Sequence, residues 1–560
     1  MKRCILLSLA LLAGFLCLSA QTQPHRFGWG NLDTRYKADS SPALAKNLSL
    51  HGWRGERVCA QALLLAPQGV RSLRIGAAPL KMGRSTIPAA AVDLFYETYV
   101  MADTLAAGVS ISLVMGDDVF EGDSVLCADR LVRREEVSVH AGKLQPVWMR
   151  IRIPQDAAPG RYRGALIADC DGRSLTIPYS LEVSPRVLPE PEQWKFHLDL
   201  WQNPYAVARY FGVPLWSKEH FAHMRPIMEY LASAGQKVIT ASIFQHPWNS
   251  QTEDPFESMI GKFKGLDGRW TYDYSVFDRW VEFMMSCGIR EQIDCYTVLP
   301  WHLTFEYYSA ADNCTHCEKM IPGSREYEEY LLPFLTDFAA HLKAKGWFGK
   351  TCIAMDERPK ELLEHAYDIL HRADPDFRVE GAVNYFGPEV AARMYDVSFS
   401  FREKPLQPQQ VQDHLSRGGR ITFYTCCNPQ RPNTFVSSPP AESAVMGWYA
   451  AALGYSGYLR WAYNSWVKDP CRDARFRVWR AGDCFLVYPD GPSIRMERLI
   501  EGIQDFEKMG ILRRGGLDLR KEALLDAQLR RFREVDWLHS SNEDVAALVA
   551  QSQALLRSLE

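Results

Sequence analysis

Two rhythms divide the chain. From residue 21 to about 190, apolar positions alternate with polar ones over short runs broken by turn residues, the signature of half-buried strands. The clearest piece is "GRYRGALIADCDGRSLTIPYSLEV" (160–183). There Asp171-Gly172 is a tight hairpin signal, and Leu175, Ile177, Tyr179, Leu181 and Val183 then fill every second position. "VSVHAGKLQPVWMRIRIP" (137–154) keeps the same beat, and helical spacing intrudes only near 88–106. A β-sandwich over 21–190 is the economical reading. "SPRVLPEPEQW" (184–194), with three prolines, reads as the linker that follows.

From 191 to 510 the pattern turns to strand-then-helix and repeats. Eight short runs rich in β-branched and aromatic residues predict strands at 196–203, 237–244, 293–300, 350–357, 378–385, 396–401, 420–427 and 457–464. Helical stripes follow, as at 218–235, 324–346 and 360–374, and the last runs from an N-cap at Ser493 to Gly510. Eight such units predict a (β/α)8 TIM-type barrel. An open doubly wound sheet is the alternative, but no Gly-rich phosphate turn follows the first strand. Residues 511–560 form a polar, helical C-terminal segment. In it Ser540 and Glu543 suggest a capping box, and Val545, Leu548, Val549, Ser552, Leu556 and Leu559 share one face.

A formal net charge of −3 gives no electrostatic support for binding nucleic acid. At the N-terminus, Lys2 and Arg3 precede an apolar run from Ile5 to Leu18, with Ser19-Ala20 as a cleavage site. That is a signal peptide over 1–20, too short for a membrane span, so the expected location is exported: periplasmic, cell-surface or secreted. Lipidation at Cys17 is disfavoured because Leu16 stands where small residues are wanted. No later run is long and apolar enough for a transmembrane helix. Of 14 cysteines, 12 lie beyond the signal, and several, including Cys295, Cys352 and Cys426, fall in predicted strands as buried thiols. Cys314 and Cys317, with His316 between them, lack a second pair of ligands for zinc and read as a local disulfide or inert thiols. No metal or organic cofactor is expected.

"TCIAMDERPKELL" (351–363) sets the chemical question. Asp356 and Glu357 end the fourth predicted strand, after Ile353, Ala354 and Met355 and before Arg358-Pro359. Adjacent acids are ordinarily a solvated turn. In a barrel, however, the loops after the strands build the active face. Neighbours on a regular strand point to opposite sides, so both acids reach one cavity only if the strand end bends. Two carboxylates in one site divide labour: one, pushed up by its neighbour's charge and by poor solvation, gives a proton, while the other stays ionised. That is the outline of glycosidic hydrolysis, but ordinary glycosidases need carboxyls about 5–9.5 Å apart, usually from different strands. Strand seven offers Tyr424 and no acid. Asp199 and Glu403 are weaker candidates for a covalent nucleophile. Without one, the substrate's own 2-acetamido carbonyl can attack the anomeric carbon, with Asp356 orienting it and Glu357 as acid and base.

The "MDERP" strand end, "GYLRWAYNSW" (457–466) and "YPDGPSIRMERLIEGIQDFE" (488–507) look like glycoside hydrolase family 123, over about residues 140 to 510. The family includes β-N-acetylgalactosaminidases that work by substrate assistance, and it carries a β-sandwich before the barrel. The resemblance implies a β-N-acetylgalactosaminidase-like hydrolase. Asp356 would polarise the acetamido group and Glu357 would act as acid/base, on a glycan with a terminal N-acetylhexosamine.

Residues at the strand ends suit a sugar: His246 after strand two; Tyr296 and Trp301 at strand three; Asn384 and Tyr385 ending strand five. Tyr424 lies on strand seven, and strand eight brings Trp461, Asn464 and Trp466. Aromatic rings can floor the apolar sugar face, and amides and hydroxyls can meet its polar groups. Arg495 and Glu497, on the last barrel helix, read as a structural ion-pair set. Two rivals stand beside this reading: a conventional retaining glycosidase using Glu403 or Asp199, and an exported glycan-binding protein without catalysis. The natural glycan, the galacto or gluco preference and the oligomeric state are open at this level.

Overall fold

The computed structural model describes residues 24–104, 124–249, 251–383, 393–477 and 479–560. The signal peptide over 1–20 and the sugar-binding candidates Asn384 and Tyr385 lie outside the described residues.

The alternating segment folds as two facing sheets. One has five strands in the order Arg26–Trp29, Arg57–Ala66, Lys143–Arg152, Val92–Asp103, Ser124–Val132. The other centres on the hairpin Gly160–Cys170 and Arg173–Val187, turned by Asp171 and Gly172, both at positive φ. Ile177, Tyr179, Leu181 and Val183 pack between the sheets with Trp29, Val147 and Met149, as their period of two requires. The helical spacing near 88–106 gives way to strand: only Ala89–Ala91 forms a single turn, and Val92–Asp103 pairs on both sides. Phe95, Tyr96, Thr98, Tyr99 and Val100 are stiff or aromatic residues that suit a pleated, half-buried surface.

The second segment forms an eight-stranded parallel barrel, nearly closed. In chain order its strands are His197–Leu200, Val238–Ser242, Gln292–Tyr296, Thr351–Met355, Arg378–Val383, Asp396–Ser400, Arg420–Tyr424 and Gly457–Arg460. Apart from the fifth, whose predicted end lies outside the described residues, each pairs over a shorter span than its predicted run. Strand one pairs with strand eight. On its other side, toward strand two, side-chain amides bridge the seam. Gln236 accepts from Leu200 N at 3.0 Å and donates to Val238 O at 2.8 Å, while Gln202 accepts from Thr240 N at 2.9 Å. These amides satisfy main-chain groups that a ladder would otherwise pair.

The helix Pro440–Leu453 after strand seven and the last barrel helix, Ile494–Arg514, cross at Gly447 and Gly502. A Cβ on Gly447 would sit 2.0 Å from Gly502 O, so only glycine allows this approach. Ser493 caps the last helix as expected, but the helix runs past Gly510 to Arg514. The C-terminal helices Leu519–Glu534 and Asn542–Leu559 pack on this pair. The predicted face of the second is buried, while its capping box uses Ser541 and Asp544, one residue on from the expected pair.

Sandwich and barrel are joined by buried charge. Arg495 Nε donates to Asp129 of the sandwich at 2.9 Å, and Asp129 also receives Tyr488 OH at 2.8 Å and Arg35 at 3.2 Å. Arg150 lies between Asp93 of its own sheet and Glu497 of the last helix, at 2.8 and 2.6 Å. Tyr230 OH adds 2.7 Å to Glu497. Arg495 and Glu497 are thus structural, but each pairs with the sandwich. Removing one member of such a buried set strands the other's charge, at about 3–5 kcal/mol. Arg495→Met should therefore lower unfolding free energy by about that amount in urea titration, through the Asp129 carboxylate left behind.

Candidate active site

Strand four explains how two adjacent acids enter one cavity. Cys352 faces the barrel interior beside Asp294 and Glu380, and alternation carries Ala354 and then Asp356 to the same side. On a continuing strand Glu357 would face the helices. Pairing stops at Met355, however, and residues 356–359 bend before the helix Lys360–Ala373 begins. Both side chains line a cavity of about 220 Å³ at the C-terminal end of the barrel.

Five indoles line it, Trp201, Trp248, Trp301, Trp461 and Trp479, together with Tyr424, Gln251, Ala382, Leu459 and the adjacent thiols Cys426 and Cys427. Trp201 and Trp248 stack at 4.9 Å with 25° between planes. Four of the five rings are pinned by their polar atom, Trp479 through Nε1 to Gln251 O at 3.1 Å. Trp301 Nε1 donates to Asp356 Oδ2 at 2.7 Å, and the Arg358 guanidinium lies 5.5 Å over that ring. Trp461 Nε1 donates to Asp483 at 2.9 Å, itself paired with Arg460 at 2.9 Å. Trp201 Nε1 reaches Asp199 at 3.3 Å.

The electrostatics separate the two acids. Burial, then the charge of Asp356, pushes the Glu357 carboxyl up to about 7, against the hydrogen bond that Tyr424 OH donates to it. Burial also raises Asp356, but the Trp301 indole, the Glu357 amide and Arg358 all favour its ionised form. Tyr424 is held well above the ordinary phenol range by burial and by Glu357, so it stays a donor. The site therefore holds one carboxyl protonated near neutrality beside a second whose neighbours stabilise its charge.

Trp301, Tyr424 and Trp461 come together with the two acids, as the sequence suggested. Four other candidates do not line the cavity. Tyr296 lies wholly buried beneath it, stacked under Trp201 and Trp248 and donating to Glu380 at 3.2 Å, because it still belongs to the strand interior. The His246 side chain is exposed, its residue in a positive-φ turn. Asn464 is buried, exchanging hydrogen bonds with the backbone of Asn203 at 2.9 and 2.8 Å, which ties strand eight to the start of the helix Pro204–Phe211. Trp466 is buried with its Nε1 on Val487 O at 2.7 Å. Strand eight ends at Arg460, so residues beyond Trp461 fold back into the body. Trp201, Trp479 and Asp483 were missed. Trp201 lies inside the predicted strand 196–203, just past the end of the observed one, and could have been found there; nothing local marks the other two.

Asp199 does not line the cavity either. It sits inside the barrel with Asp294 and Glu380, and burial holds all three well above the carboxylate range. Asp396 lies below that range despite burial, through His197 at 2.8 Å and Gln292. Glu403 likewise lies off the cavity wall. Among the described residues two groups have ligand atoms close enough to hold a cation: the buried Asp199, Asp294 and Glu380, and Asp312, Cys314 and His316 at the surface.

Paired acids on the loop after a barrel strand, walled by indoles, define the site of a glycan-cleaving enzyme, and the comparisons agree. The pattern of the glycoside hydrolase 123 catalytic domain matches residues 201–512, and that of the glycoside hydrolase 123 N-terminal domain matches residues 29–169. The chain is a glycoside hydrolase. It belongs to glycoside hydrolase family 123. No curated protein matches it. Among solved structures, a family 123 glycoside hydrolase from Clostridium perfringens, described for glycolipid glycan hydrolysis, superposes with TM-score 0.85 at 23% identity, over 96% of this chain and 98% of that one. The likeness establishes the same fold. β-Glucuronidase 3 from Bacteroides uniformis follows at TM-score 0.30 and 10% identity, over 81% of this chain and 50% of that one, too distant to inform the site.

With Glu357 as the acid, turnover should fall as pH rises through about 7, where its carboxyl loses the proton it must give. Tyr424→Phe removes a hydrogen bond to the charged form, so the alkaline limb of the kcat/KM profile should move to higher pH.

Proposed function

We propose that this enzyme is an exported exo-acting β-N-acetylgalactosaminidase that retains configuration through substrate assistance. The carrying observation is the pair itself. Among the described residues lining the cavity, Asp356 and Glu357 are the only carboxylates, and they are chain neighbours. A conventional retaining enzyme needs a second carboxyl roughly 5 Å away across the sugar, usually from another strand. Strand seven instead presents Tyr424, and the alternative nucleophiles Asp199 and Glu403 lie elsewhere. A 2-acetamido group supplies the missing nucleophile. Asp356 accepts its N–H and steadies the positive charge of the oxazolinium-like intermediate. Glu357 protonates the leaving oxygen, then takes a proton from the attacking water. The indole wall lends apolar faces to a pyranose ring and excludes competing solvent. The glycolipid glycans named for the Clostridium perfringens enzyme are a reasonable source of the terminal sugar, and the basic N-terminus with its apolar run supports export.

The test uses chromogenic β-N-acetylgalactosaminide and β-N-acetylglucosaminide. Glu357→Gln should cut kcat by about 10²–10⁴-fold, and Asp356→Asn by about 10²–10³-fold. A thiazoline mimic of the intermediate should inhibit the wild type. Covalent labelling by a fluorosugar lacking the acetamido group, with full activity in both variants, would assign a conventional nucleophile instead.

A further inference from the structure

The exposed hairpin after barrel strand three has no part in the chemistry above. Its strands, Thr304–Ser309 and Cys314–Lys319, pair antiparallel across the turn at 310–313. Alternation sends Cys314, His316 and Glu318 to one face, where Asp312 of the turn joins them. Cys317 falls on the other, where its Sγ is 4.0 Å from Gln245 Nε2. Both cysteines are free, and their opposite facing explains why they do not pair locally. On the first face three kinds of donor atom converge. His316 Nε2 is 2.7 Å from Asp312 Oδ2 and 3.4 Å from Cys314 Sγ, and all three ligand atoms lie within 4.8 Å of one another. The other ring nitrogen, Nδ1, is 3.4 Å from Glu318 Oε1. Tyr307, opposite His316 in the ladder, stacks on the imidazole at 5.0 Å and 7°, and its hydroxyl donates to that same Glu318 oxygen at 3.0 Å.

A neutral imidazole has one N–H, which can serve only one of the two flanking carboxylates. The 2.7 Å contact fits that hydrogen on Nε2 toward Asp312; moving it to Nδ1, where Glu318 stands 3.4 Å away, frees the Nε2 lone pair beside the Cys314 sulfur. A carboxylate behind the non-coordinating nitrogen is the outer partner that metal-bound histidines ordinarily have. We propose that Asp312, Cys314 and His316 bind a divalent transition-metal ion of the zinc class, with Glu318 and Tyr307 fixing the imidazole. Sulfur, nitrogen and oxygen donors together suit Zn²⁺ over the oxygen-seeking Mg²⁺ and Ca²⁺, and three protein ligands leave a fourth position for water. Binding forms an S–metal bond and sends the thiol proton to solvent. Metal and proton compete for the sulfur, so binding should weaken as pH falls. Asp312 sits in the turn and the other two ligands on the strand, so the ion clamps the hairpin's tip. This hairpin grows from the loop that carries Trp301, the partner of Asp356.

The experiment uses the reduced, metal-stripped full-length mature chain. Zn²⁺ is titrated in competition with a chromogenic chelator, and Co²⁺ spectra report the ligand set. Wild type should take up one tight equivalent and show a thiolate-to-cobalt charge-transfer band. Cys314→Ser should lose the band, His316→Ala should lose tight binding, and Glu318→Gln should weaken it about 10–100-fold. Cys317→Ser should behave as wild type, and all four variants should keep hydrolytic activity without added metal. Zinc affinity in wild type no higher than in His316→Ala, or a cobalt spectrum unchanged by Cys314→Ser, would overturn the site.

Discussion

Charge desolvation at the end of one strand governs this molecule's chemistry. A carboxylate against indole faces loses most of its hydration, and two of them side by side cannot both ionise freely. The asymmetry between Asp356 and Glu357 comes from what touches each. An indole N–H, a main-chain amide and a guanidinium stand around the first, while a phenol faces the second. The same protein environment raises both carboxyls, yet surrounds the first with groups that favour its charge while it pushes the second up to about 7. The surrounding barrel exists, in functional terms, to keep those neighbours in register.

The support runs deeper than the cavity wall. Trp201 is fixed from below by Asp199, and Tyr296 packs beneath Trp201 and Trp248 while bonding Glu380. The floor on which a sugar would rest is thus anchored in a polar barrel interior instead of the branched aliphatic layers usual for this architecture. Burial raises the Asp199, Asp294 and Glu380 carboxyls, while His197 opposite lowers Asp396. Asp199 and Glu380 orient the rings of Trp201 and Tyr296.

How much of this was readable in advance depended on whether the controlling force was local. Eight strands appeared because stiff apolar runs are local signals, and each lies where its run does. The Asp171-Gly172 turn is local in the same sense, since two positive-φ residues decide it. Asp356 and Glu357 were visible because they ended such a run. His246, Asn464 and Trp466 misled because their exposure depends on where the chain turns after a strand, which tertiary packing decides. Trp479 reaches the wall, and Asp483 the Trp461 ring behind it, from a distant loop, and no spacing near them encodes that. The helical beat at 88–106 lost to pairing partners far away in sequence, which β-branched and aromatic side chains reward. Around Cys314 the donor atoms of Asp312, Cys314 and His316 gather at every second residue, a spacing that cysteine–histidine zinc patterns do not contain.

The buried arginines that join the sandwich to the last barrel helix bear on ancestry and engineering alike. A module held by greasy contacts can be detached and its scar repaired with a few polar replacements. Here the apolar contacts of the seam are threaded by guanidinium and carboxylate halves that each make sense only opposite the other. The two parts consequently have to be inherited, transplanted or redesigned as one body, and a graft of the barrel onto a foreign partner would have to rebuild that alphabet of charges first.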